Sequence, residues 1–119
     1  MKLLVFDTET TGLPSGRNIS VKDVDKWPHI IQLSYILYDT ELNKTCSCVD
    51  DIIKLDEDVH ISAKSIEMHG ITRSTSMRKG IPIAVAIHNF NNALQEADWV
   101  IAHNISFDKQ MIMAESNRL

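Results

Sequence analysis

The chain opens with an apolar run, Leu3-Leu4-Val5-Phe6, that passes without a break into Asp7-Thr8-Glu9-Thr10-Thr11-Gly12-Leu13. Because nearly every position from Lys2 to Asp7 is apolar, the segment reads as a buried central strand. Side chains alternate faces along a strand, so Asp7 and Glu9 project to one side of it. Two anions held that close repel, and one pKa rises unless a cation lies between them. The pair therefore reads either as half of a carboxylate site for a divalent metal or as a solvated strand end leading into a polar turn.

A second cluster weighs toward the metal. Trp99-Val100-Ile101-Ala102 is again strand-like and leads into His103-Asn104-Ile105-Ser106-Phe107-Asp108. A helical period then continues through Phe107, Met111, Ala114 and Glu115. A carboxylate in the first turn of that helix, Asp108, would lie near the carboxyl end of a neighbouring strand, the edge at which open α/β sheets gather ligands.

Between these clusters the chain divides readily. Pro14 to Pro28 is a long polar connection, with a helical turn expected in Val21 to Trp27. Ile30 to Tyr38 and Thr45 to Leu55 read as antiparallel strands joined by a hairpin turn at Asp39 to Lys44. Ser62 is a suitable cap for a helix running to His69, with Gly70 as its stop. A second helix is expected from Pro82, with Ile83, Ala86, Ile87, Phe90 and Leu94 on its core face. Strands first and alternating helices later indicate an α/β layered sheet.

Phe6-Asp7-Thr8-Glu9-Thr10-Thr11-Gly12-Leu13 resembles the first exonuclease motif of the DEDD superfamily of 3′→5′ exonucleases, and Ala102-His103-Asn104 with Phe107-Asp108 resembles the second. Ile66-Glu67-Met68-His69-Gly70-Ile71-Thr72 is similar to the His-Gly-Ile-Thr element of the DEDDh branch, which includes DnaQ-like enzymes and ribonuclease T. The resemblance implies a ribonuclease H-like mixed sheet with flanking helices. It implies hydrolysis of phosphodiester bonds at DNA or RNA 3′ ends, releasing nucleoside 5′-monophosphates with two Mg²⁺ or Mn²⁺ ions. Asp7 would bridge both ions, Glu9 would hold the first and Asp108 the second. Thr10, Gly12, Leu13, His69, Asn104 and Phe107 would contact the terminal nucleotide. The residues themselves also allow plainer roles: Phe107 as core, His69 as a helix-end cation and Asn104 as a helix cap.

The chain departs from the family pattern in one respect. No His-x-x-x-x-Asp element, the source of the general base and fourth carboxylate, follows Asp108, and His29, His60 and His88 have no Asp five positions later. Residues 1–119 therefore read as the N-terminal portion of a single exonuclease domain, with a C-terminal strand and helix missing and little activity expected of the fragment alone. A DNA polymerase or a further domain is the expected protein partner. The alternative is a catalytically inactive module that binds 3′ ends or a polymerase.

Composition sets the outer bounds. Twelve Lys and Arg against 16 Asp and Glu give a net charge of −4, which argues against a protein that coats nucleic acid through its overall charge. A nuclease that grips a strand end through metal ions needs few such cations. Lys22, Lys26, Lys64, Arg73, Arg78 and Lys79 remain as a local basic rim. Only four apolar residues lie between Lys2 and Asp7, too few for a signal peptide. Cys46 and Cys48 share a strand face and are poorly placed to bond each other. Reduced thiols in the cytoplasm, or in the nucleus of a eukaryotic cell, are expected; secretion is not.

Overall fold

The computed structural model describes all residues, 1–119. Four strands, β1 (Lys2–Thr10), β2 (Ile30–Asp39), β3 (Lys44–Ile52) and β4 (Trp99–Ile101), form one mixed sheet in the order β3-β2-β1-β4. The β1–β2 and β2–β3 pairs are antiparallel, whereas β4 lies parallel to β1. Four helices accompany them: α1 (Ala63–His69), α2 (Arg73–Lys79), α3 (Ile83–Glu96) and α4 (Ile105–Arg118). A short 3₁₀ turn, Val24–Lys26, falls within the segment expected to hold one. No helix is long and apolar enough to cross a membrane.

The main core lies between one sheet face and the helix pair α3 and α4. Leu4 and Phe6 of β1 and Leu33, Tyr35 and Leu37 of β2 pack with Ala86, Ile87, Phe90 and Ala93 of α3 and Met111, Ile112 and Ala114 of α4. Phe90 is the hub, its ring centroid 5.0 Å from that of Phe6 and 5.4 Å from that of Tyr35. Burying such a ring contributes about 1.5–3 kcal/mol. A smaller cluster, Ile31, Leu55, Ile61 and Ile71, packs with Ile66 of α1.

Three expectations need correction. β1 is buried on one face only: Leu4, Phe6 and Thr8 are enclosed, while Val5 on the opposite face is exposed. Its register neighbours Ile36 and Ile101 are exposed with it, as is Trp99 opposite Leu3, so an apolar sheet face is open. An apolar run thus signalled a strand without reporting whether both faces are covered. The third strand ends at Ile52 rather than Leu55, and Ile53 instead bridges in parallel to Ile81. Helix α2 was not expected, because Ser- and Thr-rich segments favour caps and turns. The Thr72 side chain caps it by accepting from the Thr75 N–H. Ser76 then ties it down, donating to the Ile53 carbonyl at 2.7 Å and accepting from the Leu55 N–H at 3.0 Å.

Candidate active site

The parallel pairing of β1 with β4 ends at Val5 opposite Ile101, although β1 continues to Thr10. The chain leaves β4 at this gap and turns into α4, bringing Asp108 back beside the far half of β1. There Asp108 is almost fully buried, and its Oδ1 accepts the Thr8 hydroxyl at 2.6 Å and the Thr8 N–H at 3.3 Å. Thr8 stands between Asp7 and Glu9 in sequence, so this contact joins the two distant segments at one point. The position of Asp108 in the first turn of α4 also places its negative charge at the favourable end of the helix dipole.

The charges of the three acids act on one another. Burial pushes the Asp7 carboxyl above its ordinary value of 3.8, and the charge of Asp108 pushes further; the Thr8 N–H and, less strongly, His103 oppose this. Burial also raises Glu9 above 4.5, with Asp7 and Asp108 adding to it and His69 opposing. Neither acid has a Lys or Arg ion-pair partner. Such carboxylates are costly to keep ionised, and a bound cation relieves that cost.

A 650 Å³ cavity opens beside Glu9 and is lined also by Thr10, Gly12, Leu13, Lys64, Met68, His69 and Phe107, but not by Asp7 or Asp108. Leu13 is 80% exposed at its rim. A Cβ added at Gly12 would meet nothing within 4 Å, so the backbone there is open to a close approach. The Thr10 hydroxyl donates to the Gly12 carbonyl at 2.8 Å and stiffens the turn. Phe107 serves both of its readings, since it lines the cavity and also packs against the main core.

The sequence left two roles open for each of His69 and Asn104. The His69 Nδ1 accepts the Ile71 N–H at 3.0 Å, which leaves the proton on Nε2 to donate to the Thr10 carbonyl at 3.1 Å. Both ring nitrogens are therefore engaged within the protein, and His69 braces α1 against the acidic strand. Asn104 occupies the cap position of α4 but makes no capping bond with its exposed side chain, and it does not line the cavity.

Sequence reasoning missed Thr8 and Thr11. The buried Thr11 donates its N–H to the His29 carbonyl at 2.9 Å and accepts the His29 N–H on its hydroxyl at 3.0 Å. Its carbonyl accepts the Ser62 N–H at 2.9 Å, so one residue links the acidic strand, the 14–29 connection and the start of α1. A period-2 pattern with a polar residue on the buried face was the available signal for Thr8.

Hard oxygen donors without thiols suit Mg²⁺ or Mn²⁺, and both cysteines lie away on β3. No group of three His, Cys, Asp and Glu is close enough to hold an ion in this structure, although the donor type of Asp7, Glu9 and Asp108 suits Mg²⁺ or Mn²⁺.

The sequence profile described as Exonuclease (RNase T) matches residues 4–119. The chain belongs to this DEDD-type exonuclease family. Among curated proteins, none matches it in sequence. Solved structures with the same fold include an Exonuclease I from Methylocaldum szegediense, with a TM-score of 0.73 at 23% identity over 92% of this chain. E. coli Exonuclease I in complex with a dT13 oligonucleotide gives 0.74 at 18% identity over 93%. The chain spans 22% of the length of each of these proteins. Its sheet and helices are of the ribonuclease H-like type.

Proposed function

We propose that this exonuclease chain supplies the N-terminal, metal-binding part of a single 3′→5′ exonuclease domain. The observation that carries the reading is the delivery of Asp108 to Thr8, 100 residues away and between the two acids of β1. Asp7, Glu9 and Asp108 would hold two Mg²⁺ or Mn²⁺ ions. When bound, such a pair activates water and stabilises the leaving oxygen of a phosphodiester.

The remaining residues receive the strand end. Gly12 admits the backbone of the terminal nucleotide, and Leu13 at the rim wedges against its base. Phe107 and Met68 offer apolar surface for a base or sugar. Lys64 is the cation that faces this cavity, whereas Arg73 is spent on the carbonyls of Asp56 and Val59. Of the remaining basic candidates, Lys26 lines the adjoining polar cavity. The family pattern also calls for a fourth Asp and a general-base His, which are not assigned among residues 1–119. Nucleic-acid 3′ ends are the partner; the fold neighbours solved with dT13 and dA16 make single-stranded DNA the first substrate to try.

The test is digestion of 5′-labelled DNA and RNA strands by the full-length protein. Stepwise shortening with Mg²⁺ or Mn²⁺, lost in EDTA and in Asp7→Ala by at least about a hundredfold, is expected. Shortening that survives Asp7→Ala, or no cleavage of any end, contradicts the proposal.

A further inference from the structure

We infer that Thr8 is a positioning residue, whose hydroxyl fixes the Asp108 carboxylate in the orientation that receives a metal ion. The inference rests on the metal-site reading proposed above and adds a residue to it. Asp108 is carried by a helix, whereas Asp7 and Glu9 are carried by a strand, so something must set the register between the two elements. One direct link joins them at this point. Thr8 Oγ1 donates to Asp108 Oδ1 at 2.6 Å, short as expected for a hydroxyl bonded to a carboxylate. The Thr8 N–H donates to the same oxygen at 3.3 Å.

The two oxygens of Asp108 are thereby made unequal. Oδ1 is committed to β1 from two directions. Oδ2 accepts no hydrogen bond from the protein, yet it is not among the buried unpartnered atoms, of which Asp51 Oδ2 is the sole case. Oδ2 therefore reaches solvent while the rest of the side chain stays enclosed. A carboxylate held by one oxygen and open at the other is oriented for a single outward ligand bond. Thr8 itself is buried on the core face of β1 and does not project with Asp7 and Glu9, so it acts through Asp108. Groups that orient a ligand in this manner are typically worth ten- to a hundredfold in metal affinity.

The experiment is calorimetric titration of Mn²⁺ into the full-length protein without substrate, for wild type, Thr8→Val, Thr8→Ser and Asp7→Ala, with circular dichroism to verify folding. Valine keeps the shape and removes the hydroxyl; serine keeps the hydroxyl. The expected result is Mn²⁺ binding weakened about tenfold or more in Thr8→Val and within about threefold of wild type in Thr8→Ser. If valine is not accommodated, Thr8→Ala carries the same comparison with a smaller side chain. Wild-type affinity in the folded hydroxyl-free variant, with binding lost in Asp7→Ala, overturns the role of Thr8 and leaves the metal site standing. Equal loss in the serine and valine variants also overturns it, because the hydroxyl is then not the cause. Unchanged affinity in all three variants removes the metal reading and this inference together.

Discussion

Replacing Arg118 with alanine should destabilise the chain far more than loss of a surface ion pair would. The Glu115 side chain is only 3% exposed, and its carboxylate accepts Arg118 Nη1 at 2.6 Å and the Ile30 N–H at 3.0 Å. Arg118 also donates to the carbonyls of Val24, Trp27 and Pro28, so it clamps the end of α4 to the segment entering β2. Truncation leaves a buried carboxylate with a single N–H donor, a loss of about 3–5 kcal/mol. At a urea dependence of about 2 kcal/mol per molar, the unfolding midpoint falls by roughly 2 M.

His29 gives this prediction a pH signature. Its Nδ1 lies 3.9 Å from Glu115, but burial, and then the Arg118 charge, push its pKa below 6.5. In wild type the stability associated with neutral His29 is intact above 6.5 and is lost as pH falls through the depressed folded value. Without Arg118 one depressing cause is gone while Glu115 remains, so the His29 pKa rises. The imidazolium then replaces part of the lost charge at low pH. The gap between Arg118→Ala and wild type should accordingly be widest above 6.5 and narrow below it. Urea unfolding followed by the fluorescence of buried Trp27 measures both effects. A loss under about 1 kcal/mol at neutral pH, typical of an exposed pair, would refute the reasoning.

Asp7→Asn should raise the melting temperature in EDTA at neutral pH, since a carboxyl whose folded pKa is raised opposes folding once it ionises. The gain should vanish as pH falls below the ordinary value of 3.8, where both states are protonated, and a pH series of melts checks it. Substitutions at Gly80 and Gly12 should separate stability from binding. Gly80→Ala drives a Cβ into the backbone of Ser76 and Lys54, with an expected cost of at least about 1–3 kcal/mol by urea unfolding. Gly12→Ala meets open space, so its melt should match wild type while affinity for a strand end weakens.

The sequence disclosed those features whose causes are local. Alternation placed Asp7 and Glu9 together, Ser62 and Gly70 bounded α1, and the spacing of Ala86, Ile87 and Phe90 marked the core face of α3, although Leu94, expected on the same face, is exposed. The three motifs indicated the family and the sheet. What stayed hidden depends on contacts distant along the chain. Thr8 looks like a spacer until α4 sets Asp108 against it. Glu115 looks like one more residue in a helical period until Arg118 and Ile30 enclose its charge. His69 drew attention through its motif, but only the fold shows both ring nitrogens bonded within the protein. Helix α2 was invisible for a different reason: its Ser and Thr residues have weak helical preference, and its stability comes from the Thr72 cap and the Ser76 anchor.

The most direct examination of the central claim is a crystal of the full-length protein grown with Mn²⁺ and a nucleoside 5′-monophosphate, measured at a wavelength where manganese scatters anomalously. The account predicts anomalous density about 2.1 Å from carboxylate oxygens of Asp7, Glu9 and Asp108, with the Asp108 ligand being Oδ2. Manganese bound elsewhere, with these three side chains unliganded, would contradict it.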